Sequence, residues 1–148
     1  MTDISNSEAA FMKLALKEGM LALEHDDIPV GALVVCQGKI IGRGHNQVEM
    51  LQDATAHAEM LALTSAFSYL GSRYLNECTL FVTLEPCAMC AGAMYWAQLG
   101  KLVYASSDEK RGFKKFNKEI LHPKTKLVSG VMHTECRHVL KDFFQNLR

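Results

Sequence analysis

Residues 79–94, TLFVTLEPCAMCAGAM, predict a buried strand that turns directly into a helix carrying two cysteines. The run 79–83 is apolar and β-rich, and Pro86 suits the first turn of a helix because its missing N–H needs no partner there. Cys87 and Cys90 are three positions apart, so both thiols lie on one face of that helix, near its N-terminus. The positive end of the helix dipole favours thiolates, and two thiolates placed in this way can bind one metal ion.

Strand and helix patterns alternate on both sides of this stretch. Upstream, apolar residues at helical spacing over 12–23 precede a hairpin, whose two runs, 30–36 and 39–42, are joined by Gln37 and Gly38. Further helices are predicted over 55–69, with Thr55 or Asp53 as a cap, from Pro86 to Gly100, and over 133–147; strands are predicted over 101–105 and 126–131, and a polar loop over 45–53. This order predicts an α/β fold, a three-layer α/β/α sandwich with a mixed five-stranded sheet, with ligands expected beyond the carboxyl ends of strands.

The composition is that of an ordinary globular protein. Of the 148 residues, 49% are hydrophobic and 22% are charged, so we expect a single domain over residues 1–148. The start, MTDISNSEAAF, does not read as a leader peptide, and no apolar run approaches the roughly 20 residues of a membrane span. We therefore expect a cytoplasmic protein with no membrane partner. The five cysteines are an odd number, which in a cytosolic chain argues against a disulfide framework.

The third metal donor is predicted to be His57, which opens another helix. A structural zinc site needs four protein ligands, but the sequence has no second C-x-x-C, and three ligands leave one position for water. Cys36, Cys78 and Cys136 fall in or beside predicted core elements, where a free cysteine is usually a small apolar residue. We therefore expect one Zn²⁺ per chain, bound by His57, Cys87 and Cys90.

Glu59 follows His57 by two residues and is predicted to be the proton carrier of the site. Two thiolates cancel the charge of the zinc ion and weaken its ability to acidify water, so a nearby carboxylate becomes useful. An alternative is a thioredoxin-type redox pair, which also places C-x-x-C at a helix start. That alternative leaves both His57 and Glu59 without a role.

Basic residues concentrate late in the chain. Residues 1–60 carry nine acids and four bases, so the rest of this neutral chain is net positive. Most of the excess falls in residues 110–126, where Phe113 and Phe116 are interleaved with the bases and Glu119 is the single acid. Such a segment suits a nucleic-acid backbone with unstacked bases, and the alternative is a solvated loop. The bases are Lys110, Arg111, Lys114, Lys115, Lys118, Lys124 and Lys126.

These motifs together resemble a known family. H-x-E followed by P-C-x-x-C is the signature of zinc nucleobase deaminases, and it stands here at residues 57–59 and 86–90. The wider match is to bacterial tRNA-specific adenosine deaminases, in the cytidine/deoxycytidylate deaminase-like zinc superfamily, and it runs from about residue 8 to the end. It is carried by PVGALVV (29–35), GRGHN (42–46), DATAHAEMLAL (53–63), residues 79–94 and DFF (142–144).

The resemblance implies a cytidine-deaminase-like fold and a hydrolytic reaction. Zinc-bound hydroxide would convert adenosine to inosine at the wobble position of a tRNA anticodon, with Glu59 as proton shuttle. Asn46 matches the family position that hydrogen-bonds the base, and Asp108 and Lys110 match positions near the backbone of the bound nucleotide. The implied partners are a tRNA anticodon stem-loop and a second copy of the chain in a homodimer.

Other functions stay open at this level. Tyr95-Trp96-Ala97 and Gly112-Phe113 also resemble bacterial guanine deaminases, so a free-base or nucleoside deaminase of guanine or cytosine type is an alternative. A non-catalytic, zinc-stabilised RNA-binding module is a third possibility. The basic segment and the C-terminal sequence favour the tRNA enzymes.

Overall fold

The computed structural model describes residues 4–147, so residues 1–3 and 148 of the expected domain lie outside the described residues. The helices are α1 (Ile4–Met20), α2 (Val48–Leu51), α3 (Ala58–Leu70), α4 (Ala88–Ala97), α5 (Phe113–Phe116) and α6 (His133–Asn146). The strands are β1 (Gly31–Cys36), β2 (Lys39–His45), β3 (Cys78–Leu84), β4 (Lys101–Ser106) and β5 (Lys126–Ser129). A 3₁₀ turn over Leu21–His25 follows α1.

The strands form a mixed five-stranded sheet, as predicted, and their order is β2-β1-β3-β4-β5. β1 is antiparallel to both of its neighbours, whereas β3, β4 and β5 are parallel. The predicted hairpin joins β1 to β2. Its turn residues Gln37 and Gly38 have φ values of 52° and 76°, the left-handed conformation that a tight type I′ turn requires.

Helices cover both faces of the sheet, which confirms the three-layer sandwich. On one face, Met12 of α1 and Cys136 of α6 pack with Phe81 and Val103 of the central strands. On the other face, α3 and α4 pack onto the same strands in the larger cluster, which includes Leu63, Met94, Val82 and Tyr104. Because β1, β3 and β4 are buried from both sides, their sequences are almost uninterrupted apolar runs.

Two glycines let α3 lie directly on β2. A Cβ at Gly44 would be 2.3 Å from the carbonyl oxygen of Ala58, and one at Gly42 would be 2.3 Å from that of Ala62. No side chain fits at either position, so the helix backbone rests on the strand backbone. The first turn of α3 is therefore fixed relative to the end of β2.

Several predicted boundaries were wrong. α3 is capped by His57 rather than by Thr55 or Asp53, because Asp53 accepts hydrogen bonds from the N–H and hydroxyl of Thr55 at 2.8 and 2.7 Å and forms its own turn. α4 stops at Ala97, where the left-handed Gln98 ends it before Gly100. The expected loop over 45–53 contains the last residue of β2 and the whole of α2, and the basic segment contains α5.

Within residues 4–147, every helix is too short or too polar to cross a membrane.

Candidate active site

Three connections leave the sheet at one edge. β3 and β4 are parallel, so their last residues, Leu84 and Ser106, are paired side by side. β1 runs the other way, and its first residue, Gly31, is paired with His45 at the end of β2. The segments that follow β2, β3 and β4 therefore begin together, in the place where α/β sheets usually bind ligands.

His57 and Cys87 occupy equivalent positions at the starts of α3 and α4. Both are N-cap residues with extended backbones, φ −74° and ψ 152° for His57 and φ −74° and ψ 173° for Cys87. Each carbonyl accepts the first helical hydrogen bond, from Leu61 and Ala91 respectively, but neither side chain caps its helix. Both side chains are thus left available for another partner. The prediction had placed His57 and Cys87 inside the first turns of these helices.

The three predicted metal donors converge. Nδ1 of His57 lies 3.6 Å from Sγ of Cys87 and 3.6 Å from Sγ of Cys90, and the two sulfurs are 3.7 Å apart. Among the described residues, these three form the one group of three or more histidine, cysteine and acidic side chains arranged to bind a metal ion. Cys36, Cys78 and Cys136 lie elsewhere, as expected, and the last two are buried.

The spacing of the donors fits a tetrahedral zinc ion. Zn–S bonds of about 2.3 Å and Zn–N bonds of about 2.0–2.1 Å at tetrahedral angles separate two sulfurs by about 3.8 Å, and a sulfur and a nitrogen by about 3.6 Å. The observed separations of 3.7 and 3.6 Å match both values. Two thiols and one imidazole nitrogen are also the donor types that zinc prefers.

The protonation of the thiols supports the same conclusion. The hydrogen bond with Cys90, aided by His57, lowers the pKa of Cys87 to about 4. The hydrogen bond with Cys87 and burial raise the pKa of Cys90 well above its ordinary value. On their own, the two thiols therefore carry one negative charge between them, and a cation is needed before both can ionise.

Glu59 lies beside the donors in a nearly dry environment. Its side chain belongs to the second residue of α3 and is only 4% exposed. Burial raises the pKa of Glu59 to about 7, and the charge of Cys87 adds to the effect. A carboxyl group with such a pKa can both accept and release a proton near neutral pH.

Asn46 is the first residue after β2 and is partly exposed at the same edge. Its N–H donates to the carbonyl of Val30 at 3.1 Å, and the next residue, Gln47, donates to Ala56 at 2.9 Å. These two bonds tie the segment to the start of β1 and to the residue before His57. Asn46 is therefore held at the rim of the site.

Asp108 and Lys110 lie in the connection after β4. Oδ1 of Asp108 accepts hydrogen bonds from the N–H groups of Lys110 and Arg111 at 3.1 and 3.0 Å, which forms a tight local turn. The side chain of Lys110 is exposed and that of Asp108 is partly exposed. Both residues face solvent on the segment next to the one that carries Cys87.

One expectation about the basic segment was wrong. Phe113 is fully buried in the core that includes Met94 and Tyr104, so it cannot stack on a nucleic-acid base. Phe116, at the other end of α5, is 64% exposed and is free to stack on a base. Nζ of Lys114 lies 5.3 Å from the centre of the Tyr104 ring, and the neighbouring lysines are exposed.

Sequence reasoning missed two buried acids, Asp27 and Glu85. Glu85 accepts hydrogen bonds from the N–H groups of Asp108 and Lys114, and Asp27 accepts them from those of Glu49 and Met50. Each acid adjoins a proline and a buried strand, as Glu85-Pro86 and as Asp27-Ile28-Pro29. An acidic residue so close to an apolar run indicates a buried carboxylate. The sequence does not show its partners, because they are backbone groups far along the chain.

The fold and the donor group define a class, the deaminases. The family model for MafB19-like deaminases matches residues 5–148. A relative from Aquifex aeolicus, named tRNA-specific adenosine deaminase, is 40% identical over 143 residues, which cover 93% of this chain and 94% of the relative. The chain belongs to the family of tRNA-specific adenosine deaminases.

Solved structures give the same fold. One, from work on A-to-I editing by tRNA:A34 deaminases at the wobble position of transfer RNA, is 36% identical, with a TM-score of 0.81 over 88% of this chain and 98% of that one. A guanine deaminase from Bacillus subtilis is 35% identical, with a TM-score of 0.65 over 77% of this chain and 76% of that one. The match to the tRNA:A34 deaminase is thus the more complete of the two.

Proposed function

We propose that this chain hydrolyses adenosine to inosine at the wobble position of a tRNA anticodon, as one deaminase domain acting in the cytoplasm. The observation that carries the proposal is the convergence of His57, Cys87 and Cys90 beside the buried Glu59. This arrangement occurs in a chain related over 93% of its length to a tRNA-specific adenosine deaminase. A deaminase needs an activated water and a proton carrier, and these four residues can supply both.

His57, Cys87 and Cys90 would hold one zinc ion through Nδ1 and the two Sγ atoms. When bound, zinc supplies Lewis acidity that makes a water molecule nucleophilic near neutral pH. The protein fixes the donors by placing two of them at helix N-caps and the third one turn into α4. The N-termini of both helices also favour the negative charge of the thiolates.

Glu59 moves the protons. Its carboxylate takes one proton from the attacking water and delivers it to N1 of the adenine ring. It then takes the second proton of that water, now on the C6 hydroxyl, and delivers it to the departing amino group. The C6–N bond breaks and a C6–O bond forms, so adenine and water give hypoxanthine and ammonia. Because Glu59 is buried, few other water molecules compete for its proton.

Asn46, Asp108 and Lys110 are proposed to hold the substrate. Asn46 lies at the rim of the site and would hydrogen-bond the base through its side-chain amide. Asp108 and Lys110 border the site on the connection after β4 and would contact the backbone of the nucleotide. Lys110 also begins the basic segment, which extends the positive surface away from the site to meet RNA phosphates.

We also propose that the chain forms a homodimer through the outer face of α4. This helix starts at Cys87 and leaves Met89, Tyr95 and Trp96 exposed, with Trp96 77% exposed. Met89 and Trp96 are seven residues apart and so lie on one face of α4, and the ring of Tyr95 packs edge-on against Trp96. Exposed apolar side chains grouped in this way indicate a protein interface, and a second copy would bring two sites close together. Sedimentation should show a dimer that Trp96→Asp dissociates, whereas Phe144→Asp, on α6, should leave it intact.

The decisive experiment compares two RNAs and one free base. The zinc-loaded protein is incubated with an anticodon stem-loop that has adenosine at the wobble position, with the same stem-loop carrying adenosine only elsewhere in the loop, and with guanine. Nuclease digestion and mass spectrometry should show inosine from the first RNA alone. Release of ammonia from guanine without inosine would instead assign the activity of the guanine deaminases.

A further inference from the structure

We propose that Glu85 is a positioning residue that holds residues 106–114 against the metal-donor segment and so places Asp108 and Lys110 beside the site. Its two carboxylate oxygens bind different points of that connection. Oε1 accepts from the N–H of Asp108 and Oε2 from the N–H of Lys114, both at 3.1 Å. The side chain is 6% exposed, so water does not readily replace either bond. This inference rests on the proposed function, because it concerns residues 106–114, which carry two of the proposed substrate contacts and are called the substrate wall below.

Residues 106–114 pack tightly against the side chain of Glu85. A Cβ on Gly112 would be 2.2 Å from Oε2 of Glu85, so the connection passes in direct contact with the carboxylate. Backbone bonds flank it on both sides: the N–H of Glu85 donates to Ser106 at 2.7 Å, and that of Phe113 donates to Pro86 at 2.8 Å. Residues 106–114 thus wrap around Glu85 and Pro86.

The bond to Lys114 also caps α5 from outside. Gly112 is the N-cap residue of this helix, has no side chain to satisfy the first N–H groups, and makes no side-chain cap bond. Glu85 supplies the missing acceptor, and its negative charge suits a helix start that is surrounded by bases. An apolar residue at position 85 would leave the partly buried N–H groups of Asp108 and Lys114 without this acceptor.

The location of Glu85 makes the contact relevant to function. Cys87 is only two residues further along, so one short segment carries both a metal donor and the anchor of the substrate wall. The bond to the N–H of Asp108 fixes where the turn begins, and Oδ1 of Asp108 then fixes the backbone of Lys110. The distance from the zinc donors to the two proposed substrate contacts is therefore set through Glu85.

Asp27 provides a matched comparison. It is also buried and also accepts two backbone N–H bonds, from Glu49 at 2.8 Å and from Met50 at 3.2 Å. It caps α2 and makes no bond to residues 106–114. Asp27→Asn thus removes the same kind of interaction from a different segment.

The test uses Glu85→Gln, which keeps the size of the side chain but replaces one acceptor oxygen by a donor. Amide hydrogen exchange should become faster in residues 108–114 and stay unchanged in α4, with one zinc per chain retained. For the stem-loop substrate, KM should rise about tenfold while kcat stays within about threefold, because substrate contacts are displaced and the reacting groups are not. Asp27→Asn should speed exchange near α2 and leave residues 108–114 protected.

Gly112→Ala is the second variant, in case Glu85→Gln folds poorly, because it displaces the connection while keeping the carboxylate. It should reproduce the exchange pattern and the rise in KM. Unchanged exchange in residues 108–114, or a fall in kcat at constant KM, would overturn the positioning role. If the wild-type protein makes no inosine, the proposed function fails, and the exchange experiment still decides whether Glu85 anchors the connection.

Discussion

The chemistry of the site depends on how two residues begin their helices. His57 and Cys87 are extended N-cap residues, so each side chain projects ahead of its helix, where Ser or Asp would usually turn back to cap it. Because neither side chain caps its helix, the first N–H groups of α3 and α4 have no side-chain partner at the N-cap. The negative charge collected between the helices compensates, because both positive helix ends point at the thiolates.

The first prediction concerns Glu59. Glu59→Gln keeps the shape of the side chain but cannot carry a proton, so kcat for inosine formation should fall about 10²–10⁴-fold, the usual contribution of a general acid–base group. The variant should still bind one zinc per chain, which elemental analysis would show. Glu24→Gln, at an exposed position of the 3₁₀ turn, should have wild-type activity. A Glu59→Gln protein with near-normal turnover would contradict the proton-carrier role.

For single residues, the sequence predicted the convergence of His57, Cys87 and Cys90 better than it predicted their surroundings. Cys87 and Cys90 could be paired from local spacing alone, and His57 was found because few other residues could complete a zinc site. Glu85 was not predicted because its partners, Asp108 and Lys114, are more than twenty positions away, and they use backbone N–H groups that every residue has. Burial of Phe113 was missed for a related reason, since its lysine neighbours made the segment look solvated.

The contact between α3 and β2 leaves no space for a side chain at Gly44 of the strand. Gly44→Ala places a methyl group 2.3 Å from the carbonyl oxygen of Ala58, which is too close for contact, so α3 must move away from the strand. We expect a loss of about 1–3 kcal/mol of unfolding free energy. We also expect zinc affinity to fall by about tenfold or more, because His57 moves with the helix. Denaturant unfolding and competition with a fluorescent chelator measure the two effects.

Gly71→Ala is the matched control, at the other end of the same helix. Gly71 has a φ of 62° and open space around its Cβ position, so alanine costs only the strain of the left-handed conformation, about 1–2 kcal/mol. Its zinc affinity should equal that of the wild-type protein. Equal affinities in both variants would show that the seating of α3 on β2 does not control the metal site.

The basic segment gives a prediction about binding. Replacing Lys114 and Lys115 by glutamine should weaken binding to the stem-loop and reduce the slope of log K against log salt by about 1–2, since each phosphate contact releases roughly one counterion. The double replacement of Lys13 and Lys17 on α1 removes the same charge from another part of the molecule and should leave the slope unchanged. If both double variants have the wild-type slope, these lysines belong to a solvated loop.

The elements themselves were largely predictable because strands buried on both faces have strong apolar runs and amphipathic helices have clear periods. The short helices α2 and α5 were not, since four residues carry no periodicity. Tertiary bonds from the buried acids Asp27 and Glu85 hold them, so their cause lies outside the local sequence. The end of α4 was misplaced because Gln98, without glycine's freedom, adopts the left-handed conformation.

At the scale of the whole molecule, the donor group joins elements that contact each other little elsewhere. His57 starts α3 and the cysteines belong to the start of α4, so a bound zinc ion would link two helices and, through them, β2 and β3. The unfolded chain cannot hold the three donors in this arrangement. Zinc binding therefore increases the free energy of unfolding.

Removing the metal should lower the melting temperature. Free zinc at about 100 times its dissociation constant adds about 2.7 kcal/mol, which corresponds to roughly 5–11 °C for a chain of this size. Scanning calorimetry of the loaded and chelated protein measures this difference. His57→Ala removes one of the three donors and should melt at nearly the same temperature with and without zinc, whereas His138→Ala, at an exposed position of α6, should keep the full difference. If chelation leaves the wild-type melting temperature unchanged, His57, Cys87 and Cys90 do not bind a metal that links α3 to α4.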